Sequence, residues 1–415
     1  MKTFTKNMLI LSCLLGFINS TWGQASWTQR ASLVALNGRL GATGFSIGHY
    51  GYIGGGQTPT GPTNDFWRWN QNTNTWSSIA SYPGLGRYCM TSFTIAGKGY
   101  TCLGWSGAAN EKDMWEYDSA TNSWTQKASF PGSARYGAFV FVIGTNAYVG
   151  CGEPNGQPYD QDMWEYNSIT NTWRQRANFP GGNRAGLAAF SFGKYGYAGC
   201  GGDGFSDYND MWQYDTALNT WTNVASLPVP TNQLGAPITF VIKGQAYVGT
   251  GQDMAGSHET RDFWSYDSAT GLWSPVVTLT GVARWNSVGF TVGNKGYVGM
   301  GWDSANNYLT DYWEYYPYAD TIPLSVNKIS NNTNTANLYP NPNNGTFVIE
   351  TSLINAKSSV EIYNMMGEKV YEAKLPGTDG KLTIEMNGKP AGVYLYRVLT
   401  ETGYLQSDGK FIIQR

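Results

Sequence analysis

One tryptophan-rich segment recurs along the chain and limits its fold more than any other feature of the sequence. The stretch "NDMWQYDTALNTW" ends at Trp221, and its close relatives "KDMWEYDSATNSW" and "QDMWEYNSITNTW" end at Trp124 and Trp173. Two further copies end at Trp76 and Trp273, and successive closing tryptophans are 48 to 52 residues apart. A side chain that recurs in every copy is more consistent with architecture than with chemistry, because stacked repeats need the same packing residues each time.

Each unit contains four strand signals in a fixed order. An arginine begins an apolar run, as Arg135 does before "YGAFVFVIG", and a turn then leads to Tyr-x-Gly, as at Tyr148. Asp-x-Trp-x-aromatic follows, and "TNTW" or a variant closes the unit. Short strands joined by tight turns predict a four-stranded antiparallel sheet, and a period near 50 residues is typical of propeller blades. The 52 glycines and the charged fraction of only 13% also favour an all-β fold.

The two ends of the repeat region predict how the ring closes. Asp-x-Trp occurs six times, but the chain after the last copy supplies no fourth strand. A fourth-strand sequence without a unit of its own, "WTQRAS", precedes Arg39 and carries Trp27. We therefore predict a six-bladed β-propeller over residues 24–319, whose last blade is completed by the N-terminal strand so that no open sheet edge remains. The six repeated aspartates are Asp65, Asp113, Asp162, Asp210, Asp262 and Asp311.

Together these motifs resemble the kelch repeat over about residues 27–316. The recurring combination of Arg, Tyr-x-Gly, Asp-x-Trp-x-Tyr and a closing Trp carries the resemblance. The usual Gly-Gly doublet remains only at Gly54-Gly55, whereas later units have Gly-x-Gly, as at Gly150 and Gly152, and Cys102 stands at the first of these glycines in the second unit. The resemblance implies a kelch-type propeller. In some kelch domains, acidic partner residues dock near the strand-opening arginines.

We expect the repeated tryptophans to pack blade against blade. The repeated aspartates, at strand starts, are expected to accept hydrogen bonds from backbone N–H groups. Cys102, Cys151 and Cys200 fall at similar places in successive units and are interpreted as small buried hydrophobic residues. An exported protein can also form disulfides, and the pairing among these three and Cys89 is left open.

The N-terminus has the features of an export signal. Lys2 and Lys6 precede the apolar run "MLILSCLLGFI", and small residues follow near Gly23. The run is too short to span a bilayer, so residues 1–23 are predicted to be a cleaved signal peptide. A lipoprotein signal that uses Cys13 is the alternative, although the apolar stretch before this cysteine is very short.

The composition changes after Asp320. Residues 320–337 are polar, rich in Asn and Thr, and without a period, which predicts a linker. Residues 338–415 alternate apolar and polar side chains in "VEIYNMMG" and "VYLYRVL", between glycine turns. This pattern predicts a small β-sandwich as a second domain.

The motifs of this second domain resemble the C-terminal sorting domain of type IX secretion substrates. They are Tyr339-Pro340-Asn341-Pro342 with Gly345, Ile362-Tyr363-Asn364 with Gly367, Gly392-Val393-Tyr394, and the terminal Lys410 to Arg415. The resemblance implies a Bacteroidota-type bacterium and Sec export into the periplasm. Passage across the outer membrane by the type IX machinery, the expected partner of this domain, would follow. In such proteins the cargo is released or anchored at the cell surface.

Composition argues against several function classes. The formal net charge of −2 offers nothing that would attract nucleic acid or an acidic membrane. His49 and His258 are the two histidines, and neither has metal-ligand spacing. We therefore expect no copper radical site, no Ser-His-Asp catalysis, no metal and no cofactor. A few loop carboxylates remain, for which solvent exposure is the simplest interpretation: Glu153, Asp203, Asp207 and Glu259.

Residues outside the packing sets predict a ligand site at one mouth of the central channel. The arginine that opens the innermost strand occurs in five units, and Gln233 is taken to stand in its place in the fifth. Three tryptophans that the repeat does not need lie beside this arginine or after Tyr-x-Gly. Aromatic rings and guanidinium groups suit a sugar or an acidic peptide. The candidate ligand-binding residues are Arg39, Arg87, Tyr88, Trp105, Arg135, Tyr136, Arg184, Arg284, Trp285 and Trp302.

A structural interpretation of the same residues stays open. The arginines would then cap carbonyl groups, and the aromatic rings would shield the channel mouth. We predict an exported, monomeric module that binds a glycan or an acidic protein ligand. The alternative is a carbohydrate-active enzyme such as a sialic-acid-type sugar epimerase or mutarotase, since one such mutarotase uses a six-bladed kelch-type propeller. A purely structural surface component is a third hypothesis.

Overall fold

The chain divides into two compact units, Met1–Ala319 and Asp320–Arg415, in a computed structural model of the full sequence. The structure describes residues 25–33, 38–155, 158–228, 234–253, 258–317, 336–351, 358–364, 368–375, 380–400 and 405–414. The predicted signal peptide and nearly all of the predicted linker therefore lie outside the described residues. The described part is built from strands and turns, which confirms the all-β prediction, and it contains no helix long and apolar enough to cross a membrane.

Among its described residues the first unit contains six large antiparallel sheets, five of four strands and one of five, called blades 1 to 6 in chain order of their innermost strands. The innermost strands are Thr43–Ile47, Thr91–Ile95, Phe139–Ile143, Ala188–Phe192, Ile238–Ile242 and Val288–Val292. The second strands are Tyr50–Gly54, Lys98–Cys102, Asn146–Pro154, Tyr195–Gly199, Gln245–Gly249 and Lys295–Gly299. The third strands are Phe66–Asn70, Met114–Asp118, Asp160–Asn167, Met211–Asp215, Phe263–Asp267 and Tyr312–Tyr316. The outer strands are Thr75–Ser78, Ser123–Lys127, Thr172–Arg176, Thr220–Val224, Leu272–Val276 and, for blade 6, Ser26–Arg30.

Short strands extend some of these sheets at one end. Arg135–Tyr136 pairs with the long second strand of blade 3. Two small ribbons, Gln57–Thr58 with Gly61–Pro62 and Gln252–Asp253 with His258–Glu259, form the loops that follow the second strands of blades 1 and 5. These extensions lie beyond the C-terminal ends of the second strands and so build one face of the propeller.

The N-terminal strand closes the ring as the sequence predicts. Ser26–Arg30 pairs antiparallel with Tyr312–Tyr316, with Trp27 opposite Tyr315. The innermost strands contact one another in sequence around a circle, including the first and the last. Because an unpaired edge at the first and last strands would invite aggregation, this closure protects both ends of the repeat.

Each outer strand is bonded to the preceding blade through its tryptophan. The indole Nε1 of the closing tryptophan donates a hydrogen bond of 2.7 to 3.1 Å to a backbone carbonyl just after the outer strand of the blade before it. The pairs are Trp76 with Ala31, Trp124 with Ala80, Trp173 with Ala128, Trp221 with Ala177, Trp273 with Ala225, and Trp27 with Val277. These tryptophans therefore connect neighbouring blades by a hydrogen bond as well as by the expected packing.

The core between blades is a repeated stack of aromatic rings. In every blade a phenylalanine of the innermost strand stacks on the tyrosine of Tyr-x-Gly with ring centroids 5.0 to 5.9 Å apart. The same phenylalanine also faces the following blade: a Cβ added at Gly99 would lie 2.1 Å from the Phe45 ring. A small residue before the tyrosine is therefore required by close approach of neighbouring blades.

The second unit is a two-layer β-sandwich. One sheet has the order Asn337–Tyr339, Thr346–Glu350, Lys381–Glu385, and the other the order Lys369–Lys374, Ser359–Tyr363, Gly392–Leu399, Leu405–Ile413. Phe347 from the first sheet and Phe411 from the second have ring centroids 4.4 Å apart in the shared core.

The first and last motifs of the sorting-domain pattern meet in this sandwich. Asn343 donates its backbone N–H to the carbonyl of Ile412 and accepts from the N–H of Gln414. The side chain of Asn341 accepts from the N–H of Ile412 and donates to the carbonyl of Lys410. Asn341 of the first motif and Asn343 just after it therefore hold the terminal strand in place. Gly367, part of the middle motif, lies outside the described residues.

Candidate functional site

The strand-opening arginines are buried framework residues. Arg39, Arg87, Arg135, Arg184 and Arg284 are each at most 1% exposed. Each makes a two-pronged contact with the repeated aspartate of its own blade, and the shorter nitrogen–oxygen distance is 2.5 to 2.9 Å. A planar guanidinium is well suited to such a fork, which holds the start of the first strand against the start of the third. The prediction that these arginines face a ligand is corrected by their burial, so they are removed from the candidate contacts.

The aspartates have different partners from those expected. Each of the five aspartates that pair with an arginine also accepts a hydrogen bond of 2.6 to 2.7 Å from the indole of the tryptophan two residues later. Burial is the largest single influence and would raise the pKa of Asp65, Asp113 and Asp311. The hydrogen bonds from arginine and tryptophan, together with the arginine charge, outweigh it and lower the pKa below its usual value. The partners are therefore side chains of the repeat, which is why Arg, Asp and Trp recur together.

The arginine also explains the Gly-x-Gly pattern. Its Nη1 donates to the carbonyl of the middle residue, for example Arg135 to Cys151 and Arg284 to Met300, at 3.0 and 3.2 Å. The middle residue has a positive φ, 56° at Cys151 and 59° at Met300, which turns its carbonyl toward the guanidinium. The second glycine has a φ near 100° at most positions, and a Cβ at Gly152 would lie 2.9 Å from the carbonyl oxygen of Tyr136, so only glycine fits.

Blade 5 departs from this arrangement at Leu234. The second glycine of each unit donates its N–H to the carbonyl of the arginine in the next blade, as Gly152 does to Arg184, and Gly201 donates in the same way to Leu234. Leu234 is therefore the counterpart of the arginines, and the prediction that Gln233 takes this place is wrong by one position. Gln233 itself lies outside the described residues. Asp262 of this blade accepts instead from the hydroxyl of Thr278 at 3.3 Å.

Six residue pairs, here called the mouth pairs, surround the channel mouth. In each blade the residue after the arginine position forms an antiparallel bridge with the residue after Gly-x-Gly. The pairs are Leu40 with Gln57, Tyr88 with Trp105, Tyr136 with Glu153, Ala185 with Gly202, Gly235 with Gln252, and Trp285 with Trp302. The framework fixes the backbone of these positions, while their side chains differ from blade to blade. Such variable positions on a rigid scaffold are where binding specificity is usually carried.

A ring of backbone hydrogen bonds forms the floor beneath the mouth pairs. One residue from each blade contributes, and five bonds of 2.7 to 3.1 Å join them. All six have a positive φ between 48° and 66°. The floor residues are Gly41, Cys89, Gly137, Gly186, Ala236 and Asn286. The floor turns the mouth of the channel into a pocket with a base.

This pocket, here called the first pocket, has a volume of about 410 Å³. Four of the aromatic residues outside the packing sets line it, namely Tyr88, Tyr136, Trp285 and Trp302. The rings of Trp285 and Trp302 stack with centroids 6.3 Å apart. Blades 4 and 5 contribute no aromatic mouth residue, so the aromatic mouth residues lie on one side of the pocket. A volume of this size lies within the usual range of small-ligand sites, roughly 300–1,000 Å³.

The polar groups of the first pocket are acidic or neutral. Glu153 and Asp207 line it, and among its described lining residues there is no lysine or arginine. Tyr136 donates its hydroxyl to the Glu153 carboxylate, and burial together with this bond raises the pKa of Tyr136 above its ordinary value. Gln57 and Gln252 add amide donors and acceptors.

Sequence reasoning missed several of these polar residues. The glutamines escaped notice because residue type alone does not mark them, although their position immediately after Gly-x-Gly does. Two of the loop carboxylates interpreted as solvent-exposed, Glu153 and Asp207, line the pocket, and Asp207 is only 4% exposed. Asp203 instead holds its own turn through the N–H groups of Phe205 and Ser206 and the hydroxyl of Tyr208.

The four cysteines that the structure describes, Cys89, Cys102, Cys151 and Cys200, are free thiols. Cys151 and Cys200 are middle residues of Gly-x-Gly, and Cys102 stands one position earlier in its unit. Burial raises the pKa of every one of these thiols, that of Cys89 to about 12. No cluster of His, Cys, Asp or Glu suited to a metal ion occurs within the residues that the structure describes.

The fold and the pocket define the class, a β-propeller with a ligand-sized pocket at one mouth, and sequence comparison supplies the family. Residues 41–248 match the family model described as the KLHDC2/KLHL20/DRC7 Kelch-repeats domain. The match covers half of the chain, and the chain belongs to the kelch-repeat family. Residues 337–414 match the Secretion system C-terminal sorting domain. Both sequence resemblances are thereby confirmed, and the sorting domain implies interaction with the type IX machinery and export to the cell surface or the extracellular space.

Solved structures support the fold alone. The structure titled "Structure of YjhT" has a TM-score of 0.57 and 17% sequence identity to this chain. The similarity covers 66% of this chain and 94% of that one. No curated protein matches the sequence significantly.

Proposed function

We propose that this exported kelch propeller is a binding module for a neutral glycan, which enters the first pocket. The observation that supports the proposal is the gathering of Tyr88, Tyr136, Trp285 and Trp302, none of which the repeat needs for packing, around one floored pocket. Exposed aromatic rings that cluster in this way are typical of binding sites. Sugar rings offer apolar faces that stack on such side chains and hydroxyls that bond to carboxylates and amides.

The charge of the pocket selects between the two ligand classes predicted from the sequence. An acidic peptide would bring its carboxylates toward Glu153 and Asp207, and the arginines expected to receive it are buried and paired. Like charges brought together in a partly buried site repel. A neutral sugar avoids this cost and can donate its hydroxyls to both carboxylates, so it is the better ligand.

The proposal is tested by screening the purified protein on a glycan array and confirming hits by calorimetry. Trp302→Ala and Trp285→Ala should each weaken a confirmed neutral glycan about tenfold or more, because each removes a stacking face. Phe205→Leu is the matched control, since Phe205 is 89% exposed and does not line the pocket. Binding only to acidic proteins, or binding unchanged in both tryptophan variants, would refute the proposal.

A second candidate is the carbohydrate-active enzyme, favoured by the presence of two carboxylates in one pocket. Glu153 and Asp207 both line the first pocket, and interconversion of sugar anomers needs a group that gives a proton and a group that takes one. Proton NMR of freshly dissolved sugars decides the matter. Acceleration of anomer exchange that is lost in Glu153→Gln would establish catalysis, whereas exchange at the rate of buffer leaves the protein as a binder.

Delivery to the cell exterior completes the proposal. We propose that a Sec signal within residues 1–23 carries the chain to the periplasm and that the C-terminal sandwich then directs it through the outer membrane. The family match of residues 337–414 supports this route.

A further inference from the structure

A second cavity adjoins the first pocket on the outer side of blades 2 and 3. This cavity, here called the second pocket, has a volume of about 340 Å³ and is lined by Trp105, Asn110, Pro154 and Asn155. Three more of its lining residues, Tyr88, Tyr136 and Glu153, also line the first pocket. The two cavities therefore share one wall of two tyrosine rings, with centroids 6.2 Å apart, and a carboxylate.

The second pocket contains a buried acceptor without a partner. Asn110 is 6% exposed, and its Nδ2 donates to the carbonyl of Glu153 at 2.9 Å. That bond fixes the orientation of the amide, because a carbonyl accepts only from the nitrogen. The remaining Oδ1 is buried and has no hydrogen-bond partner in the structure. A buried acceptor in this state costs free energy until a donor reaches it.

The first pocket contains the complementary group. The Nε1 of Trp302 is buried and also lacks a partner, and its residue lines the first pocket. One pocket thus offers an unused donor and the other an unused acceptor. Each has an aromatic face beside it, Trp302 itself in the first and Trp105 in the second, whose ring lies 6.5 Å from that of Tyr136.

We propose that the two pockets are adjacent subsites for consecutive sugar residues, so that the ligand is a disaccharide or a longer glycan. This inference rests on the proposed function. One sugar occupies the first pocket, and the next crosses the shared tyrosine wall, packs on Trp105 and donates a hydroxyl to Oδ1 of Asn110. Each subsite has the volume of a small-ligand site, and the shared lining residues place the two side by side.

The test compares a monosaccharide with its own disaccharides by calorimetry. Glucose is compared with maltose and cellobiose, and N-acetylglucosamine with its β1,4-linked dimer, on the wild-type protein and on Asn110→Leu and Trp105→Leu. We expect at least one disaccharide to bind about tenfold tighter than its monosaccharide. Each variant should remove that gain, weakening the disaccharide about three- to tenfold and the monosaccharide less than twofold. Phe205→Leu is the control, and tryptophan fluorescence verifies that each variant is folded.

The outcomes separate this inference from the proposed function. Equal affinity for the monosaccharide and its dimers, or an equal loss for both in the variants, overturns the second subsite and leaves the first intact. If none of these sugars and no array glycan binds, the proposed function fails and the inference fails with it. Should Asn110→Leu not fold, Trp105→Leu decides alone, because Trp105 is only partly buried.

Discussion

The indole Nε1 of Trp27 donates a 2.9 Å hydrogen bond to the backbone carbonyl of Val277, 250 positions later in the sequence. Within blade 6 the same ring packs against Tyr315, and it also contacts Phe240 and Phe263 of blade 5, so that only 8% of the residue is exposed. The N-terminal strand is therefore part of the ring in the same way as the other outer strands.

Replacement of Trp27 by alanine should destabilise the whole propeller. Loss of a large buried aromatic side chain costs about 3–5 kcal/mol of unfolding free energy. Trp124→Ala, at the equivalent position of blade 2, is the matched control and should cost a similar amount. Urea unfolding followed by tryptophan fluorescence measures both. A large loss for Trp124→Ala with almost none for Trp27→Ala would mean that the first strand is a detachable end.

The arginine–aspartate pairs predict unequal effects of one substitution in different blades. Asp113→Ala leaves Arg87 buried without its counter-ion, which typically costs about 3–5 kcal/mol. Asp262→Ala removes a carboxylate from the blade in which Leu234 replaces the arginine, and should cost about 1 kcal/mol, as for a single hydrogen bond. Thermal and urea unfolding of the two variants compare them directly. Equal losses would show that the guanidinium contact contributes little.

Acid should weaken the propeller below about pH 4. The folded-state pKa values of Asp65, Asp113 and Asp311 are lowered relative to an unfolded value of about 3.9. Their contribution is therefore fully present above the unfolded pKa and is lost as the pH falls through the folded values. Every tryptophan of the chain lies at or before Trp313, so fluorescence reports on the first unit alone. An unfolding free energy that stays constant from pH 6 to pH 2.5 would contradict this assignment.

Deletion of residues 338–415 should leave the propeller folded but keep it in the periplasm. The two units are separately compact, and the core of the second lies within its own two sheets. Cell fractionation locates the truncated protein, and its tryptophan emission, compared with that of the full chain, reports its folding. Surface delivery equal to that of the full chain would refute the sorting role.

Sequence reasoning succeeded where a feature repeats and failed where it depends on contacts between distant loops. The blade strands and the N-terminal closing strand could be predicted because the sequence repeat occurs six times. The roles of Arg87 and Asp113 do not, because their pairing joins positions 26 residues apart and is invisible to either motif alone. Leu234 was missed because Gln233, a polar residue, was expected at the arginine position of blade 5. The backbone hydrogen bonds, which the sequence does not reveal, identify Leu234 as the equivalent residue.

The candidate site shows the same division. The aromatic residues of the first pocket could be predicted by subtraction, since the repeat leaves them unexplained. Asn110 could not, because what marks it is an amide fixed by a carbonyl from the next blade. Asn110 and Glu153 lie 43 positions apart in the sequence and meet only because the loops of blades 2 and 3 pack side by side.

The closing strand also determines when the protein can be complete. Ser26–Arg30 is made first, yet its partner Tyr312–Tyr316 is made last of all the propeller strands. A nascent chain, or a chain passing through an export pore, cannot finish the ring until Tyr312–Tyr316 has emerged. Contacts between such distant segments also form slowly. The propeller can therefore acquire its closed shape only when both ends are present in the same compartment.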